Sequence, residues 1–114
     1  MNIIEKSCEM KKSEIFRMTK DASIKKVSEN IGLNVEVDKW LVYSENNSKG
    51  EEVTVLSIMG KDGEVYATNS PTFRNQFYDI VEMLGEEMID RIEIVSGTSK
   101  NGRDFVTCSY TGDK

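Results

Sequence analysis

Five rings and six cations have the residue types that hold single-stranded nucleic acid: Trp40, Tyr43, Tyr66, Phe105 and Tyr110, with Lys39, Lys49, Lys61, Arg74, Lys100 and Arg103. Rings stack on bases at roughly 1–3 kcal/mol each, while cations track the phosphates. Eight of these residues form the candidate binding set. Tyr43, Tyr66 and Phe105 would stack, Lys39, Lys49, Lys100 and Arg103 would contact phosphate, and Trp40 is a further ring. Each has an ordinary structural use as well. Trp40 and Tyr110 suit a barrel core better than a stacking platform. Tyr43 and Tyr66 suit either role. A lone lysine such as Lys49 or Lys61 is usually a solubilising charge.

Other chemistry is poorly supplied. The chain has no histidine, which removes the usual general base and the commonest zinc ligand. Its two cysteines, Cys8 and Cys108, lie a hundred residues apart and read as free, buried thiols in a reducing compartment. Glu51/Glu52 and Glu86/Glu87 are paired acids, but no third ligand accompanies either pair. No phosphate-binding glycine loop and no nucleophile elbow occurs. The expectation is a protein without catalysis, metal or cofactor.

The charge balance argues the other way from the rings. The net charge is −5, whereas nucleic-acid binders usually carry a basic footprint. Residues 1–32 hold seven Lys/Arg against five Asp/Glu, and residues 33–114 hold eight against fifteen. Asp79, Glu82, Glu86, Glu87 and Asp90 gather much of that acid on and after one helix. Any anion-binding surface must therefore be a local basic strip. A rival reading follows from the same count: an adaptor or inhibitor that uses its acidic surface against a basic protein.

The elements that must position these residues can be read along the chain. Residues 2–10 read as a short strand, Lys11 to Lys20 as a helix that Ser13 caps, and Asp21 to Asn30 as a second helix. Ile24, Val27 and Ile31 share one side of that second helix, and Gly32 closes it. Asn34 to Glu45 is a long strand whose apolar parity changes between Val35/Val37 and Trp40/Val42. That change predicts a bulge near Asp38 and Lys39. Asn46 to Glu51 is a turn, Val53 to Met59 a strand apolar on both parities, and Glu64 to Asn69 a third strand after an Asp62-Gly63 turn. Ser70 and Pro71 then mark the start of a helix as N-cap and first residue. Phe73, Phe77, Ile80, Val81 and Leu84 make its apolar stripe, and Gly85 ends it.

Arg91 to Ser99 and Arg103 to Tyr110 form a hairpin around Asn101-Gly102. That dipeptide predicts a two-residue type I′ turn. The register would set Lys100 opposite Arg103, Thr98 opposite Phe105 and Ser96 opposite Thr107. Val95, Val106 and Cys108 would face the core, and a bulge at Gly97 would return Ile92 and Ile94 to it.

Three strands, one helix and two hairpin strands match the order of a five-stranded OB-type barrel, with the helix between strands 3 and 4. Such barrels bind oligonucleotides through one face and two loops, here 46–51 and 99–103. One domain is expected, with a short helical N-terminal segment over 1–32 and the barrel over 33–114. No stretch approaches the ~20 apolar residues of a membrane helix. The first residues lack the apolar run of a secretory signal, which makes the cytoplasm the expected compartment.

Particular stretches resemble a family. Gly63-Glu-Val-Tyr-Ala-Thr-Asn-Ser-Pro-Thr-Phe73, Gly97-Thr-Ser-Lys-Asn-Gly-Arg-Asp-Phe105, Trp40-Leu-Val-Tyr43 and Ser48-Lys-Gly-Glu51 are similar to small single-stranded DNA-binding proteins of phages of Gram-positive bacteria. The likeness covers about residues 33–110, and more loosely the N-terminal part. It implies an OB-type fold and sequence-tolerant coating of single-stranded DNA during replication and recombination. Replication or recombination proteins would be the partners. Many such proteins end in an acidic recruiting tail, which Tyr110-Thr-Gly-Asp-Lys114 does not match; the acidic helix over 79–90 would have to recruit instead.

Overall fold

The computed structural model describes residues 1–85 and 90–112. Glu86 and Glu87, two of the five residues of the acidic cluster, lie outside the described residues. The elements in chain order are β1 (Asn2–Lys6), α1 (Lys12–Thr19), β2 (Lys25–Lys26), a 3-10 turn (Val27–Glu29), β3 (Asn34–Asn46), β4 (Glu52–Gly60), β5 (Val65–Thr68), α2 (Pro71–Leu84), β6 (Arg91–Thr98) and β7 (Asp104–Tyr110). The strands form a curled, mixed sheet in the order β2-β5-β4-β3-β6-β7, with β1 paired to β3 as well. Among the described residues only β2 and β5 run parallel.

β3 joins the two halves of this sheet. Its first residues, Asn34–Glu36, pair with β6, while Val37 to Asn46 pairs with β4. The expected bulge is present, since the β3–β4 register shifts between Val37 and Lys39. One extra residue, Asp38, reverses side-chain parity. Val35, Val37, Trp40 and Val42 consequently enter one core, with Leu56, Ile58, Tyr66, Ile92, Ile94 and Cys108. Leu41 and Tyr43 point the other way, into a second cluster with Met18 and Val65.

α2 covers the first core. Ser70 Oγ accepts the Phe73 amide at 3.3 Å, Pro71 opens the helix, and Gly85 ends it at φ +80. Phe73 and Phe77 are fully buried, and Trp40 meets Phe77 edge-on at 5.5 Å between ring centroids. α1 covers the second cluster from the opposite side of the sheet, through Met18. Its cap differs from expectation. Lys11 is the N-cap residue, Ser13 lies within the first turn, and Glu14 reaches back to the Lys11 amide at 2.9 Å.

Three expectations change. Seven strands are present among the described residues, because β1 and β2 join the sheet. The second N-terminal helix is replaced by the two residues of β2 and a 3-10 turn, and Ile31 stands half exposed beyond them. A run of only three apolar residues at helical spacing does not outweigh backbone pairing with β5. Cys8 is exposed, while Cys108 is buried as expected, and both are free.

The β6–β7 register is also one residue off. Gly97 faces Phe105, Ser96 faces Val106, Val95 faces Thr107, and Ile94 faces Cys108. The turn is longer than two residues: Gly102 N–H bonds Ser99 O at 2.9 Å, Ser99 N–H bonds Arg103 O at 2.8 Å, and only Gly102 has positive φ. This is the three-residue loop in which a left-handed glycine follows a type I turn. A one-residue slip exchanges the faces of one strand against the other. Ile92 and Ile94 therefore reach the core with no bulge at Gly97, and Val95 joins the face of Phe105.

Two measurements test this packing. Phe73→Ala should cost about 3–5 kcal/mol in denaturant unfolding, as for a fully enclosed aromatic; a loss below about 1 kcal/mol would show that α2 is not anchored through this ring. Burial pushes the Cys108 thiol and the Tyr43 phenol, the latter also facing Glu45, up to about 12 from ordinary values of 9.0 and 10.0. The fold favours both neutral forms, so their stabilisation is complete below pH 9 and is lost as pH rises through 12. Unfolding free energy should fall across that window, and a Cys108→Ala/Tyr43→Phe variant should flatten the fall. An unchanged slope would assign alkaline unfolding to other groups.

Candidate nucleic-acid interface

The β6–β7 hairpin carries two of the exposed candidate cations. Lys100, Asn101 and Gly102 make its tip, and Lys100 and Arg103 are exposed. Neither cation forms an ion pair among the described residues. Arg103 N–H donates to Ser99 Oγ at 3.2 Å, which closes the turn from the side-chain side. Alternation along β7 places Arg103, Phe105 and Thr107 on one face.

Gly97 explains the position of Phe105. A Cβ at residue 97 would stand 2.5 Å from the Phe105 ring, so the ring lies across a bare stretch of β6 backbone. The aromatic covers a glycine on the neighbouring strand. One side of the half-buried ring is used in this way. The glycine was legible in the sequence as a local break; its role as the seat of Phe105 depends on the register.

The second loop, 46–51, is ordered by one side chain. Asn47 Oδ1 accepts the amides of Lys49 at 2.9 Å and Glu51 at 3.0 Å. Lys49 is exposed and forms no ion pair among the described residues. No described hydrogen bond or ion pair links this loop to the hairpin.

Trp40, Tyr43, Tyr66 and Lys39 occupy interior or neutralised positions. Trp40 is 1% exposed and lies in the first core, so no base reaches its face in the folded chain. Tyr43 is buried beneath α1, with its hydroxyl 3.5 Å from Thr19 O. Tyr66 is buried in the first core, with Lys25 Nζ 5.9 Å from its ring centroid. Lys39 is bound by Glu14 and lies 3.8 Å from Asp38. The Glu14 hydrogen bond raises the Lys39 pKa and lowers that of Glu14, so each holds the other charged. Of the remaining cations, Arg74 Nη1 donates to Thr54 O at 3.4 Å, and Lys61 is exposed.

Several concave surfaces lie among the described residues, one of about 290 Å³ beside Lys61 and Tyr66. A groove of about 430 Å³ lies where α1 leaves the β4–β5 face uncovered, with Val53, Val55 and Ala67 as lining, Lys26 and Asn69 beside them, and Glu45 at one edge. Lys20 holds Glu45 at 3.2 Å. A smaller slot of about 320 Å³ lies along the hairpin, beside Ile31. Asn69 and Ile31 were not among the sequence candidates. The apolar second parity of β4, Val53 and Val55, was the available signal for the groove; for Ile31 the helical reading concealed it.

Comparison with known proteins gives a family match. The family described as Phage Single-stranded DNA-binding protein, of the Phi29 type, matches residues 11–111. No curated protein and no solved structure matches the chain. The matched span runs from α1 through the end of β7, including both loops, the groove and the hairpin. The chain belongs to the Phi29-type family of phage single-stranded DNA-binding proteins.

Proposed function

We propose that this chain binds single-stranded DNA with little dependence on sequence, without catalysis, in phage DNA replication and recombination. The observation that carries the reading is the β6–β7 hairpin of a family member. It combines exposed Lys100 and Arg103 with a ring seated over Gly97. Cations and a ring on one projecting ribbon are what a sequence-tolerant site needs. Lys49 on the other loop and Lys26 beside the groove extend the basic surface. The buried residues Trp40, Tyr43 and Tyr66 support the sheet, and Lys39 clamps α1 through Glu14.

An OB-type assignment accords with the strand order. β5-β4-β3-β6-β7 is the order 3-2-1-4-5 expected of such a barrel, with β1 and β2 as additions. α1 covers part of the sheet face that OB barrels usually offer to a strand. Contact would then fall on the hairpin, the loop 46–51 and the open groove. The host cytoplasm, where phage DNA replicates, is the proposed setting, with replication or recombination proteins as further partners.

Anisotropy of labelled oligo-dT against protein at several salt concentrations tests this reading. Affinity should fall with salt as counterions are released. Arg103→Ala should weaken binding and reduce the slope of log affinity against log salt by about 0.7, the share of one phosphate on a single strand. Phe105→Leu keeps an apolar cover over Gly97 while removing the π-face. It should cost about 1–3 kcal/mol of binding if a base stacks there. No binding by wild-type protein at low salt would end the proposal, and unchanged affinity in both variants would remove the hairpin from it.

A further inference from the structure

The slot beside the hairpin has a chemistry different from the basic surface around it. It is lined by Ile31, Ser96, Thr98, Asp104 and Val106, together with Gly97 and Phe105 of the strands, and encloses about 320 Å³. That volume is at the low end of the roughly 300–1,000 Å³ of small-ligand sites. Ser96, Thr98, Asp104 and Val106 stand on the same hairpin face as Ile94 and Cys108, so the slot continues the core side of the ribbon. Ile31 is 50% exposed and supplies an apolar wall.

Asp104 is the one charged side chain in this slot. Thr98 Oγ1 donates to Asp104 Oδ1 at 3.3 Å, which orients the carboxylate across the ribbon. No cation pairs with Asp104 among the described residues. A carboxylate repels phosphate, so a strand crossing the hairpin must turn its backbone away from this slot. Lys100 and Arg103, on the tip and at its base, receive that backbone. What can enter is a base, edge first, with its ring against Ile31.

An ionised carboxylate only accepts hydrogen bonds. Cytosine N4 and adenine N6 offer amino donors, and Asp and Glu accept from cytosine N4 in known base contacts. Thymine offers one ring N–H flanked by two carbonyl oxygens, which face the carboxylate unfavourably. We infer that this slot takes one base of the bound strand and that Asp104 favours amino-bearing bases over thymine. The inference rests on the single-stranded DNA reading and adds a modest bias to an otherwise sequence-tolerant surface.

The experiment compares anisotropy titrations of labelled oligo-dC and oligo-dT of equal length at pH 8, for wild-type protein and Asp104→Asn. Differences in the intrinsic stacking of the two oligomers cancel in the ratio of ratios. The dC-to-dT affinity ratio should be about fivefold larger in wild type than in the variant, the low end for one base contact. A variant that binds both oligomers more tightly by the same factor would overturn the inference, because Asp104 would then act only by repulsion. Ile31→Ala should weaken both oligomers about fivefold, while Met83→Ala, also exposed but on α2, should change neither. Unchanged binding by Ile31→Ala would likewise overturn the slot. Thermal melting identical to wild type shows that these surface variants remain folded. Failure of wild-type protein to bind either oligomer would overturn the single-stranded DNA reading itself, and this inference with it.

Discussion

β3 must bury both of its faces, and most of the structure follows from that requirement. Thirteen residues long, it supplies apolar side chains to two separate clusters and pairs with three strands. The extra residue at Asp38 lets one strand serve both halves of the sheet, because it restores Val35 and Val37 to the side of Trp40 and Val42. A strand exposed on either face would leave Leu41 and Tyr43, or Trp40 and Val42, in water. Burying a Leu or Val side chain contributes about 1.5–3 kcal/mol, so neither cover is dispensable.

The two covers have different origins. α2 and the β6–β7 hairpin close over the Trp40 side, and α1 closes over the Tyr43 side. The N-terminal residues are therefore built into the fold: β1 pairs with β3, β2 pairs with β5, and Arg17 Nη2 donates to Gly63 O at 2.8 Å. Covering the outer sheet face with α1 removes Tyr43 from solvent, a ring that would otherwise be available to bases. The exposed chemistry is displaced to the edges, onto the hairpin, the loop 46–51 and the groove beside Lys26.

Charge follows the same division. Lys20, Lys25 and Lys39 are held by Glu45, Glu64 and Glu14, and they serve to tie the N-terminal elements to the sheet. Lys26, Lys49, Lys100 and Arg103 form no such pairs among the described residues. A chain of net charge −5 can thus keep unpaired cations on its surface, because several of its described acids are engaged with other lysines. Exposed ion pairs contribute little stability, so this sorting matters more for the surface field than for folding.

Local signals carried far in this sequence. Ser70-Pro71 and the stripe from Phe73 to Leu84 determined α2, because capping and helical periodicity depend on residues within a few positions. The parity change between Val37 and Trp40 determined the bulge, and apolar residues on both parities of β4 announced two buried faces. The absence of histidine constrained the chemistry from composition alone. The hairpin was legible, but its register was not, since Asn101-Gly102 fits both a two-residue turn and the longer loop observed. Only packing chose between them: the observed register sends Ile92 and Ile94 inward and seats Phe105 on Gly97. Tertiary structure likewise decided which rings are buried and which lysines are paired. Exposure and ion pairing depend on contacts between residues far apart in the chain, such as Glu14 with Lys39 and Tyr43 with Thr19, and no local pattern of residues encodes them.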